Sequence, residues 1–484
     1  MPKSKNKKEL LQNPKGTRDV LPFDAVVWQA VEEKAREIAE YYGFRPIRMP
    51  HIEHTELFTT SVGEATDIVE KQMYTFRTRG KDSLTLRPEG TAPIMRAYIQ
   101  HGMRTWPQPV MLYYSGSFFR HERPQKGRYR EFGQFGLEIL GAEGAVADAL
   151  IIRLFMLVFE ELGFKKMMVH VNTLGDKACR EDYRKDLVAH FRKKQNYLCT
   201  ECRRRLKTNP LRILDCVEEK CQEIATDAPQ CIEYACDACK EHFREVLEFL
   251  DKASIPYFLD HKLVRGLDYY SRTVFEIFTE TAEEKKEEVP VEVSESADSE
   301  SADIEGGESK EADAPPPKKE EKPAHKEEGR PLALASGGRY DSLAYDLGIQ
   351  EPQSEEEEAW KGAVGGAIGL DRVVEGLLSQ KGKGIKKENP KVFLIQLGPQ
   401  AKQQSLLLLE QFRKNRLSVA SSLSKDNIKN QLGFAAKLGV SYSIILGQKE
   451  TIDNTVIVRD METGMQEIVP QSKLLDYLKK KKKK

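Results

Sequence analysis

Residues 118–136 read FFRHERPQKGRYREFGQFG, and this stretch restricts the fold more than any other. It places Arg120, Arg123, Lys126, Arg128 and Arg130 within eleven residues, broken by Pro124 and Gly127. An apolar and aromatic run, VMLYY at 110–114, precedes it. An alternating run of Phe132, Gln134, Phe135, Leu137 and Ile139 follows. The pattern predicts two strands joined by a basic loop of about eight residues, longer than a tight hairpin requires. Such a loop suits a polyanion, a nucleoside triphosphate or the end of a nucleic acid. A solvated surface hairpin is the plain alternative, since charge runs usually are just that. Against it, Arg120 closes an apolar strand, where a planar donor fork would enter a pocket.

FRHERPQKGRYREFGQFG resembles the second signature motif of class II aminoacyl-tRNA synthetases, in the form found in histidyl-tRNA synthetases. Four further stretches carry the resemblance. Helical spacing over 26–42 (Val27, Ala30, Val31, Ala35, Ile38, Ala39, Tyr42), closed by Gly43, leads into a short strand FRPIRMP ending at Pro50. It is similar to the first motif, which in that family builds the dimer interface. AVGGAIGLDRVVEGL at 363–377, a glycine-loosened strand running into an amphipathic helix, resembles the third motif. LVRGLDYY, within a stretch from Ile255 to Ile277 that reads as strands, and SGGRYD resemble the two histidine-specific stretches. From VFLIQL onward the order β, α, β, α, β, β predicts a small α/β domain with a mostly parallel sheet. That domain resembles the anticodon-binding domain of the histidine, threonine, proline and glycine synthetases, although a generic α/β module would read alike.

The resemblance implies an α+β catalytic domain with an antiparallel sheet and a two-step reaction. Histidine and ATP give histidyl-adenylate and pyrophosphate, and the histidyl group then passes to the 3′ end of tRNA(His). Arg120, Arg265 and Glu89 match the catalytic positions. Glu89, Gly90, Thr91 and Gln134 match the surroundings of the α-amino group, and Glu138, Tyr269, Tyr270 and Tyr340 the imidazole pocket. Arg120, Glu122, Arg128, Phe132 and Arg372 match contacts to ATP, which would carry Mg²⁺; Arg123 and Gln125 match residues near the tRNA acceptor end. Without the motif, Tyr269 and Tyr270 would read as core packing, Glu138 as a strand-surface carboxylate, and Arg265 as half of an ion pair, for instance with Asp268. A non-catalytic histidine sensor, like the regulatory subunit of ATP phosphoribosyltransferase, is the runner-up. Such paralogues typically lack the C-terminal domain and have eroded catalytic positions.

A chain of 484 residues suffices for two or three domains. No apolar run approaches a membrane span, and MPKSKNKKELLQNPKG has no apolar segment behind its basic residues, so a cytoplasmic protein is expected; the resemblance implies a homodimer. Net charge is zero, yet 281–330 holds seventeen acidic and eight basic residues and no aromatic. That segment cannot bury enough apolar surface to order itself and reads as a disordered acidic insert. The expected boundaries are a basic tail at 1–13, a catalytic domain at 14–380 and a cysteine-rich helical insertion at 177–250. A linker at 381–390, an anticodon-binding domain at 391–478 and a lysine tail at 479–484 follow.

Seven of eight cysteines lie within about forty residues, with C-x-x-C spacing at Cys199/Cys202 and Cys236/Cys239. The pairing predicts one structural zinc on Cys199, Cys202, Cys236 and Cys239. A subset with Cys216 and Cys221, or reduced thiols without metal, are the alternatives.

Overall fold

Pro22 at the first helical position opens helix α1 (Pro22–Tyr41), whose Val27, Val31, Ala35, Ile38 and Ala39 are buried. The computed structural model describes residues 11–279, 333–350, 359–380, 390–422 and 427–482. The expected acidic insert at 281–330, nearly all of the linker at 381–390 and most of the tail at 1–13 lie outside the described residues. The chain divides into two compact units, Met1–Gly384 and Ile385–Lys484.

The first unit is built on an eight-stranded sheet: β1 (Arg45–Pro46), β2 (Val110–Phe119), β3 (Glu131–Leu140), β4 (Met167–Thr173), β5 (Tyr257–Leu259), β6 (Ser271–Thr279), β7 (Ala335–Arg339) and β8 (Ala363–Gly369). Its spatial order is β1-β2-β3-β8-β7-β6-β4-β5. The run from β2 to β4 is antiparallel throughout, and only the short edge strands pair in parallel. Helix α2 (Thr91–Gln100) follows the TLRPEG turn, and α3 (Ala145–Glu161) lies across the sheet. The sequence reads α3 as strongly amphipathic, but Ala145, Ile151, Ile152, Leu154, Phe155, Met156, Val158 and Phe159 are all buried. The sheet covers one side, while α1 and a helix of the insertion cover others, so little of α3 faces water.

The insertion is mostly helical, as its composition suggests. It includes α4 (Lys177–Lys193), α5 (Thr200–Thr208) and α6 (Asp237–Lys252). Helix α7 (Leu370–Ser379) continues directly from β8. Two expectations change. The basic connection runs over eleven residues, 120–130, with Arg120 N–H still bonded to the Arg130 carbonyl. LVRGLDYY is a loop between β5 and β6, not part of a strand.

The second unit has a five-stranded sheet: β9 (Val392–Gln396), β10 (Val419–Ser421), β11 (Tyr442–Leu446), β12 (Thr455–Asp460) and β13 (Gln466–Pro470), in the order β10-β9-β11-β12-β13. Two pairings are parallel and two antiparallel, so the sheet is mixed rather than mostly parallel. The expected lysine tail begins inside the last helix, Leu474–Lys482.

Candidate active site

Three strands bring the sequence-distant residues to one place. On β3, Gln134 and Glu138 are four residues apart and therefore share a face. Glu138 has no solvent exposure; it accepts from Thr91 Oγ1 at 2.9 Å and Tyr340 Oη at 2.5 Å. Burial lifts its pKa to about 8, against the pull of those two hydroxyls. Gly365 sits opposite it on β8, where a Cβ would lie 1.6 Å from Glu138 Oε2. The first of the paired glycines of AVGGAIG thus makes room for a carboxyl group laid across the sheet.

Glu89 caps the start of α2, accepting from Thr91 N–H at 2.7 Å, Ala92 N–H at 3.0 Å and Tyr269 Oη at 3.0 Å. Burial raises its pKa, offset in part by these donors and by Arg120. Gly90 is pressed by Tyr114, whose ring would lie 2.5 Å from a Cβ there. Tyr269 stacks beside Tyr270 at 4.8 Å and meets Tyr340 edge-on at 5.9 Å, and all three are buried. The result is a buried aromatic cluster around two buried carboxyl groups, neither in an ion pair among the described residues.

The arginines border this cluster. Arg120 Nε donates to the Pro88 carbonyl at 2.8 Å, and its guanidinium lies 5.4 Å over the Phe132 ring. Arg265 pairs with Glu276, donates to Ser336 Oγ at 2.7 Å and keeps a buried, unpaired Nε. Its partner is therefore Glu276 on β6; Asp268, considered from sequence, instead accepts from Asn209 at 2.8 Å. Arg372, two residues into α7 from Leu370, is held by the carbonyls of Gly127 (3.2 Å) and Ala333 (2.7 Å). Arg128 pairs with Glu122. Burial depresses the pKa of Arg372, and Arg128 and Arg120 depress it further; burial likewise lowers Arg120, with Arg128 adding to the effect. Cations held within each other's field, in a partly dry cleft, form a seat for a polyanion. Arg123 and Gln125 stand exposed on the loop, away from this convergence.

The expected zinc ligand set needs correction. Cys199, Cys202, Cys236 and Cys239 do not gather. Cys199 and Cys202 group with Cys216 and Cys221, whereas Cys236 and Cys239 group with Cys179 and Asp176. The two C-x-x-C pairs open different helices, α5 and α6; the first finds its partners just downstream, the second in a segment some 60 residues earlier in the chain. Sequence reading missed Asp176, since an aspartate just ahead of a helix usually signals only a cap. Glu276 and Ser336, which hold Arg265, were missed too; an alternating β-strand gives them no distinguishing mark.

An antiparallel sheet carrying the Glu89 turn, the Arg120 loop and the Arg372 helix defines the class II aminoacyl-tRNA synthetase fold. The family model described as histidyl-tRNA synthetase matches residues 16–286, and that described as anticodon binding domain matches 391–481. The histidine–tRNA ligase of Caldicellulosiruptor saccharolyticus is 40% identical over 97% of this chain and 99% of its own. That of Desulforudis audaxviator is 39% identical over 97% and 99%. The apo histidyl-tRNA synthetase of S. aureus superimposes with a TM-score of 0.70 at 30% identity, covering 97% of this chain and 99% of that one. The chain belongs to the histidyl-tRNA synthetase family.

Proposed function

We propose that the chain is a histidine–tRNA ligase, activating L-histidine with ATP and transferring it to tRNA(His). The observation that carries this reading is the junction of two unlike sites. Two buried carboxyl groups, neither in an ion pair among the described residues, stand beside Arg120, Arg128 and Arg372, cations that act on one another. The carboxyl groups call for a ligand rich in N–H donors, and the arginines for a triphosphate. Glu89 faces the α-ammonium and Glu138 the imidazole, with Thr91, Gln134, Tyr269, Tyr270 and Tyr340 around them. The substrate carboxylate is left pointing toward Arg120 and the α-phosphorus.

In the reaction, that carboxylate attacks phosphorus and pyrophosphate leaves on the far side. Arg120 and Arg265 flank the phosphoryl oxygens on which charge develops, and Arg372 with Arg128 holds the departing end. Phe132 offers a half-buried ring for the adenine, and Glu122 borders it. ATP enters with magnesium, whose charge offsets phosphate oxygens that the arginines do not reach. Arg123 and Gln125, exposed on the same loop, meet the acceptor end of the tRNA, and the second unit reads the anticodon. The insertion is a structural module held by zinc. The enzyme works in the cytoplasm as a homodimer, built along α1 and the open edge of the sheet, where Tyr41 is 85% exposed. Among the described residues no helix is long and apolar enough to cross a membrane.

Histidine-dependent exchange of pyrophosphate into ATP tests the reading. Wild type is expected to exchange and Arg265→Ala to lose exchange. A wild type that binds histidine without exchanging would be a sensor instead.

A further inference from the structure

We propose that the insertion contains two separate zinc sites, one of four thiolates and one of three thiolates with a carboxylate. The second of them locks the histidine pocket. In the first, Cys199, Cys202, Cys216 and Cys221 bring their Sγ atoms within 4.8 Å of one another. Cys199 and Cys216 stand 3.9 Å apart, close to the roughly 3.8 Å separation that tetrahedral zinc imposes with bonds of about 2.3 Å. In the second, Asp176, Cys179, Cys236 and Cys239 meet the same limit. Asp176 uses Oδ1 for the Cys179 N–H at 2.9 Å and turns Oδ2 toward Cys239 Sγ at 3.4 Å and Cys236 Sγ at 3.7 Å. A zinc ion with mixed oxygen and sulfur ligands would set these separations at about 3.6 Å.

The two clusters are built alike. Each C-x-x-C places its first cysteine at the cap of a helix, Cys199 before α5 and Cys236 before α6. In each, backbone N–H groups point at sulfur: Cys202 to Cys199 and Cys199 to Cys221, both at 3.3 Å, and Cys236 to Cys179 at 3.1 Å. Such donors favour thiolates, the form that binds metal. Cys202, Cys221 and Cys239 have no exposure, and all eight cysteines are free. Ordinary core thiols would not converge in fours on one point with an aspartate oxygen among them. Cys231 is buried as well but belongs to neither group.

The second site lies where the insertion leaves the catalytic sheet. Leu174 N–H bonds to the Arg272 carbonyl and Arg272 N–H to the Gly175 carbonyl, each at 2.7 Å, one residue ahead of Asp176. One turn into α4, Arg180 donates to the Tyr270 carbonyl. One turn into α6 past Cys239, His242 meets Asp148 at 3.3 Å, and Asp148 holds Arg339 beside Tyr340. Zinc on Asp176, Cys179, Cys236 and Cys239 therefore ties together the starts of two helices that support Tyr270 and Tyr340.

The test is metal content of the full chain, purified under reducing conditions without chelators. Two zinc ions per chain are expected, one lost in Cys202→Ser, one lost in Cys239→Ser and none lost in Cys231→Ser. X-ray absorption at the zinc edge of wild type, which depends on no variant folding, should give sulfur and oxygen averaged over one four-sulfur and one three-sulfur site. One zinc or none in wild type, or an all-sulfur average, overturns the proposal. Zinc counting needs no aminoacylation, so its failure and that of the ligase reading are separate. The pocket lock rests on that reading: Asp176→Ala should raise KM for histidine at least several-fold while leaving KM for ATP within twofold. Equal changes in both would overturn it.

Discussion

Glu138 shows how much one side chain can depend on its neighbours. Burial holds its proton up to about pH 8, and Thr91 and Tyr340 supply its contacts. A carboxyl whose folded pKa exceeds its unfolded one favours the fold below the ordinary carboxylate range and loses that benefit as pH climbs through about 8. The free protein should thus lose stability between the ordinary carboxyl value of 4.5 and about pH 8 through this group, and Glu138→Gln should flatten the loss. Thermal unfolding at both pH values checks it; an unchanged pH slope in the variant would disprove the assignment. Arg265→Ala should lower kcat for adenylate formation by about 100- to 1,000-fold, the usual worth of one preorganised donor at a developing charge. Single-turnover adenylate formation measures this, and a loss confined to KM would count against the role.

At the scale of elements, the pocket stands on a buried relay. Arg339 and Asp148 are both fully buried, and Arg339 also reaches the Ala142 carbonyl at 2.8 Å. Removing one partner strands the other charge, so Asp148→Ala should destabilise the first unit by about 3–5 kcal/mol. Denaturant unfolding would show it, and a loss under 1 kcal/mol would mean the pair is poorly desolvated. The sequence announces its elements unevenly. The β2–β3 hairpin is plain because apolar runs flank a loop too charged to bury. Its loop reads as about eight residues, yet the strands stop at Phe119 and resume at Glu131, which leaves the eleven residues 120–130 between them. LVRGLDYY resembles a strand by its apolar content, yet it is a loop that turns Tyr269, Tyr270 and Arg265 inward. Helix α3 shows polar spacing, but neighbours on several sides bury it, which no local periodicity can convey. The arginines were legible through their motifs; Glu276 and Asp176, which complete their clusters, depend on register and chain return.

For the molecule as a whole, the expected insert at 281–330 enters between strands that are already paired. Glu276 on β6 faces Ser336 on β7, and Ile277 faces Ala335. A short turn can join such strands, since closure entropy changes slowly with loop length. Replacing 281–330 by a few glycines and serines should leave aminoacylation within about threefold; loss of charging in a folded variant would give the insert a catalytic role. Salt should separate the two half-reactions. Phosphate contacts to a long nucleic acid release counterions, so charging of tRNA should weaken steeply with added salt, whereas adenylate formation should barely respond. Parallel assays from low to moderate salt would decide this.

Glu138 lying flat on Gly365 has an evolutionary consequence. Any side chain gained at 365 displaces the carboxylate, and a shorter residue at 138 leaves a hole over bare backbone. Neither position can drift alone without harm, so a lineage that alters one must alter the other as well. Two codons far apart in the gene are thereby coupled through sterics.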